Sequence, residues 1–67
     1  MKISYDKLWI KLKKKKMTKA KFRELTGMST STMAKMVKNE PVALTVLLRV
    51  CEVLNCNVGD VLDFVKE

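Results

Sequence analysis

Four hydroxyl residues stand in a row at Ser29, Thr30, Ser31 and Thr32, and two cations follow at Lys35 and Lys38. Short hydroxyls followed by ammonium groups make hydrogen bonds and hold anions. They do not make a catalytic centre here, because the chain has no histidine, scattered acids and no phosphate-cradling glycine loop. No set of nucleophile, base and orienting group can be assembled, so no catalytic residue and no small-molecule substrate are expected. Cys51 and Cys56 lack the third and fourth ligands of a zinc site, so no metal and no cofactor are expected either. Both read as small buried hydrophobes in a reducing compartment, which makes the expected location cytoplasmic.

Set on a helix turning ~100° per residue, Met33, Met36 and Val37 recur at i, i+3 and i+4 and form an inner side. The opposite side then shows Thr30, Ser31 and Lys35, with Lys38 near its end. Small hydrogen-bonding groups at a helix start allow close approach to base edges in a major groove ~12 Å wide. Lys35, one turn in, reaches guanine O6 and N7 or a phosphate. The plain alternative is that the hydroxyls only cap a helix and the methionines only fill a core. The charge distribution speaks against stopping there. Net charge is +7, and residues 1–38 carry 12 basic and 2 acidic side chains against 2 basic and 5 acidic in 39–67. The hydroxyl-and-lysine face therefore lies in the half suited to a polyanion.

Five short helices are expected to position these groups, with no strand, because no segment alternates with period two for long enough. Ser4 or Asp6 caps the first, which carries Tyr5, Leu8, Trp9 and Leu12 and ends in Lys13 to Lys16, cations placed at the negative end of its dipole. Thr18 caps the second, which carries Ala20, Phe22 and Leu25 and stops at Gly27. Ser29 caps the third, Thr30 to Lys38, with Asn39 as a left-handed end. After Glu40-Pro41 a fourth helix spans roughly Leu44 to Leu54, with Leu44, Leu47, Leu48, Cys51 and Leu54 on one side. Asn57 and Asp60 form a capping box for a fifth helix bearing Val58, Val61, Leu62 and Val65. The length, 67 residues, allows one domain at 1–67 with a thin core. No apolar run is long enough to span a membrane, and Leu8-Trp9-Ile10 is too short for a signal peptide.

The second helix, the Gly27-Met28-Ser29 turn and the third helix make a helix-turn-helix over about 18–38. Here the chain resembles the lambda-repressor-like, Cro/repressor (XRE-type) DNA-binding domains. Two segments carry the likeness: MTKAKFRELTGMSTSTMAKMVKNEPV and ALTVLLRVCEVLNCNVGDVL. Met17-Thr18, Phe22, Gly27, Met28-Ser29 and Met33 fit the first part of the family pattern. Leu44, Leu47, Val50, Cys51, Leu54 and Leu62 fit the second. The resemblance implies an all-α fold and a sequence-specific transcriptional regulator that binds double-stranded DNA as a homodimer. It places base reading on Thr30, Ser31 and Lys35. It places a phosphate contact on Lys19, with Lys38 and Asn39 in a loop that touches the DNA backbone. Ser29 and Thr32, beside the amides at the start of the third helix, are further phosphate candidates. Three features depart from the pattern: Arg23 replaces a small residue, Asn39 replaces glycine, and no glutamine is present to read bases.

Two other readings stand beside this one. A protein-interaction module, an antitoxin or adaptor, could keep the fold without reading bases. Its docking face would be the acidic, apolar last helix, whereas the subunit contact of a dimeric regulator would draw on Ile10, Phe64 and the last helix, with Trp9 assigned to the core instead. A basic segment from Trp9 to Lys16 lying on a membrane is too short and needs its aromatic face for the core.

Overall fold

Residues 1–67 are described by a computed structural model. The helices start and stop where side-chain chemistry dictates. The Thr18 hydroxyl accepts from the Lys21 N–H at 3.1 Å and opens α2 (Lys19–Thr26). The Ser29 hydroxyl accepts from the Thr32 N–H at 3.1 Å and opens α3 (Thr30–Val37). Helix α1 (Asp6–Lys14) follows Tyr5, and the Ser4 hydroxyl accepts from the Asp6 N–H at 3.3 Å. Helix α4 (Leu44–Leu54) starts after Ala43 with no side-chain cap.

All four α-helices are followed by a residue in the left-handed region: Lys16 (φ 55°), Gly27 (φ 73°), Asn39 (φ 58°) and Asn55 (φ 51°). Gly27 takes this conformation without a Cβ penalty. At the other three ends the chain closes with a six-to-one bond: Met17 N–H to the Leu12 carbonyl, Glu40 to Lys35 and Cys56 to Cys51, at 2.9, 2.8 and 3.0 Å. These are Schellman-type ends, which satisfy carbonyls that the helix leaves without partners. The lysine run thus contains the stop signal of α1 as well as its dipole partners.

The C-terminal segment departs from the expected fifth helix. The Asn57–Asp60 capping box forms, with the Asp60 carboxylate accepting from the Asn57 N–H at 2.9 Å, but it opens only a 3-10 turn over Val58–Asp60. The chain then extends as β2 (Asp63–Val65) and pairs antiparallel with β1 (Lys2–Ser4), in the register Lys2 with Val65, Ile3 with Phe64 and Ser4 with Asp63. The expectation of no strand is corrected by this ribbon. Three residues per strand are too few to show alternation, and the pairing joins opposite ends of the chain. Apart from this ribbon the regular structure is helical, as expected, with four α-helices and one 3-10 turn in place of five helices.

One cluster of eleven apolar residues fills the interior: Tyr5, Leu8 and Leu12 from the first helical segment, Phe22, Met28, Met33 and Met36 from the helix-turn-helix, and Leu47, Val50, Leu54 and Val61. Burying each such side chain contributes ~1.5–3 kcal/mol before entropy is counted. Several apolar residues expected inside lie outside. Leu25 is 39% and Val37 51% exposed, while Leu44 and Leu48 are 79% and 64% exposed. Helix α4 buries the arc of Leu47, Val50 and Leu54, turned away from the Leu44–Leu48 edge. Trp9 and Cys51 are only half-buried at the margin of the core. No helix is long and apolar enough to cross a membrane.

Candidate nucleic-acid interface

The methionines fix the orientation of α3. Met33 and Met36 are buried on its inner side, and Met28 anchors the turn before it. That rotation leaves Thr30, Ser31 and Lys35 exposed together on the outer side. Ala34 lies between them, and Val37 borders the same face. Reading the hydroxyls and lysines alone misses these two apolar positions, although the same 100° rotation marks Ala34 as outward. A methyl-sized surface between hydroxyls suits contact with a thymine methyl.

The flanking groups differ in how free they are. The Ser29 hydroxyl donates to the Thr32 hydroxyl at 3.1 Å as well as accepting from its N–H. The Ser29 hydroxyl is therefore the cap of α3, and the Thr32 hydroxyl is held as its acceptor. Thr30 and Ser31 make no side-chain hydrogen bond within 3.5 Å. Lys38 is exposed at the end of α3. The Asn39 Oδ1 accepts from the Tyr5 N–H at 3.2 Å, while the N–H₂ of this exposed residue has no hydrogen-bond partner within the fold. Lys19, at the first position of α2, sits with its Nζ 4.8 Å from the centroid of the Trp9 ring. This cation–π contact restrains the lysine without neutralising it. It also gives Trp9 a second role beside filling the core margin.

Two sets of contacts brace the helix-turn-helix, one within the motif and one from α1. Arg23 on α2 is half-buried, and its guanidinium donates to the Met28 carbonyl in the turn at 3.4 Å. The arginine that replaces the small residue of the family pattern thus has a hydrogen-bond partner in the turn. Tyr5 grips the far end of α3: its hydroxyl donates to the Glu40 carbonyl at 2.9 Å while its backbone binds Asn39. Burial pushes the Tyr5 phenol above its ordinary value. The loop after α3 is thus tied to the start of α1 by a side chain that is almost wholly enclosed.

The N-terminal half of the chain carries further exposed cations. Lys13, Lys14, Lys15 and Lys16 are exposed at the end of α1, and Lys19 and Lys21 are exposed on α2. Few acids accompany them. The sole ion pair, Lys7 with Asp63 at 3.8 Å, joins α1 to β2 and is solvent-exposed, worth little to stability.

Comparison with known proteins agrees with this architecture. The sequence profile of the Cro/C1-type HTH DNA-binding domain matches residues 7–67. No curated protein matches at a significant level. Among solved structures, the fold is similar to that of the transcriptional regulator VanUg, with a TM-score of 0.95 and 50% sequence identity. The match covers 98% of this chain and 88% of that one. A match over residues 7–67, joined to a helix pair whose second member turns hydroxyls and lysine outward, assigns the chain to a family: it belongs to the Cro/C1-type helix-turn-helix DNA-binding domains.

Proposed function

We propose that the chain is a sequence-specific DNA-binding transcriptional regulator that lays α3 in the major groove. One observation carries this reading. Packing of Met33 and Met36 inside leaves Thr30, Ser31 and Lys35 on a common exposed side, in the cationic half of the molecule. Thr30 and Ser31 sit at the helix start and offer hydrogen bonds to base edges. Lys35 reaches guanine O6 and N7 one turn further on, and Ala34 with Val37 meets thymine methyls.

The phosphate backbone is held on both sides of this face. Lys19 and Lys38 supply charge, and the free amide of Asn39 supplies a neutral donor. Ser29 and Thr32, whose hydroxyls already bond to each other at the cap of α3, contribute through the position of the adjacent backbone N–H groups rather than through new side-chain bonds. The regulator acts as a homodimer on two half-sites about one helical turn apart. Ile10 and Phe64, 55% and 61% exposed, are apolar surface for the subunit contact. Titration of a fluorescent duplex at several salt concentrations tests the reading. With ~4–6 phosphate contacts, log K falls against log salt with a slope of about −4 to −5. Affinity that does not respond to salt contradicts it.

The exposed apolar edge of α4 favours a second reading, a protein-interaction module that keeps the fold without reading bases. Under that reading partner capture survives Lys19→Ala and Lys35→Ala but is lost on Phe64→Ala or Leu48→Ala.

A further inference from the structure

Away from the basic face, α4 borders an open apolar groove of about 440 Å³, lined by Leu44, Leu48, Cys51, Glu52, Cys56 and Val58 among others. Its end is formed by the Schellman-type stop of α4. In that motif the third residue from the helix end and the second residue beyond it are brought side by side, usually as an apolar contact. Here both positions are cysteines. The Cys56 N–H donates to the Cys51 carbonyl at 3.0 Å, with Asn55 in the left-handed region between them. Both thiols are free and half-buried, and both line the groove. The helix stop itself therefore pre-arranges a dithiol at the end of an apolar trough. Apolar packing alone would be served by two aliphatic side chains and does not call for two thiols.

We propose that Cys51 and Cys56 form a bidentate site for a trivalent arsenical bearing one apolar substituent. The step is a condensation. Two arsenic–sulfur bonds form and two arsenic–oxygen bonds break, and each thiol proton leaves with a hydroxyl as water. Arsenic stays trivalent, so no oxidant or reductant enters. The substituent lies along Leu44, Leu48 and Val58.

The charge around the pair selects this neutral chemistry over a soft cation. A two-coordinate metal complex needs both sulfurs as thiolates. Burial raises the Cys51 thiol, and the neighbouring Cys56 and the Asp60 carboxylate push it further the same way. Glu52, also on the groove, adds another negative charge. An anionic bis-thiolate is disfavoured there, whereas condensation with loss of water creates no charge. A structural zinc ion is excluded by ligand number, since no third histidine, cysteine or carboxylate joins the pair.

The test uses the full, reduced chain and one equivalent of phenylarsine oxide, followed by intact-mass spectrometry and a thiol count. The expected result is a one-to-one adduct with both thiols blocked. It resists excess 2-mercaptoethanol and is stripped by 2,3-dimercaptopropanol. Cys51→Ser and Cys56→Ser, checked for helicity by circular dichroism, lose that resistance by about 10²-fold or more, the gain expected from linking two binding events. Leu48→Asn keeps the dithiol and weakens retention of phenylarsine oxide relative to inorganic arsenite. An adduct on the parent that 2-mercaptoethanol strips as readily as from Cys56→Ser overturns the proposal. So does a pair of thiols shielded from reagent in a self-associated chain, which would give the groove to a second copy. Should the serine variants unfold, the contrast between monothiol and dithiol stripping of the parent still decides the matter.

Discussion

Helices α3 and α4 are built alike and dressed differently. Each turns a narrow apolar strip inward, Met33 and Met36 on one, Leu47, Val50 and Leu54 on the other. Their outer sides diverge. Helix α3 shows Thr30, Ser31 and Lys35, while α4 shows Leu44 and Leu48 beside two half-buried thiols. The inner strips state what the fold needs. The outer sides, which the fold leaves unconstrained, are where the two helices differ in chemistry. A polar, cationic side suits a hydrated polyanion, and an apolar side suits an apolar ligand or another protein surface.

The largest effects should come from the strips the two helices share. Met36→Ala and Leu47→Ala each remove a nearly or fully buried side chain and should each cost about 2–5 kcal/mol of stability, read by urea denaturation. A loss on α4 with none on α3 would mean that α3 is not held by its methionines, and the orientation of its outer face would be unsupported. The outer sides should then separate. Lys35→Ala should leave the urea midpoint unchanged and cost about 1–3 kcal/mol in DNA binding, mostly at one base position. Leu48→Ser should leave binding to a single half-site unaltered. Equal effects of these two variants on DNA would erase the distinction between the helices.

Smaller effects sharpen how α3 is held. Tyr5→Phe removes the hydrogen bond to the Glu40 carbonyl and should cost about 0.5–1.5 kcal/mol. The buried phenol titrates above its ordinary value of 10.0, so its neutral form is the one the fold favours. Its contribution is complete below that ordinary value and disappears as pH rises through the higher folded-state value. The chain has one tyrosine, so ultraviolet absorbance during alkaline titration reports this group alone. A midpoint at or below 10.0 contradicts the burial argument. Lys16→Gly relieves a left-handed residue carrying a Cβ and should stabilise by about 0.5–1 kcal/mol, with DNA affinity falling slightly from the lost charge.

Much of this was legible in the residues. Thr18, Gly27, Ser29 and the Asn57–Asp60 box act locally, within a turn of the backbone they cap, so their types and spacing suffice. The outward placement of Thr30, Ser31 and Lys35 was legible because Met33 and Met36 leave few rotations open. Less legible was which of two overlapping apolar stripes on α4 faces the core. Leu44 and Leu48 fit one stripe and Val50 the other, and a 67-residue domain lacks the interior to bury both. The β1–β2 ribbon was not legible because its strands are three residues long and each depends on the distant other. Once Phe64 pairs with Ile3, the segment after Asp60 cannot continue as a helix. The role of Tyr5 as a clamp on the loop after α3 was hidden for the same reason: helical spacing marks it as core but does not reveal the long-range bonds to Asn39 and Glu40.

Selecting bound duplexes from a random pool, with the parent and with Lys35→Ala side by side, tests most directly whether the outer side of α3 reads sequence. The parent should enrich a two-fold symmetric motif, and the variant should enrich the same motif with one position per half-site relaxed. No enrichment by the parent, or an identical motif from both, would contradict it.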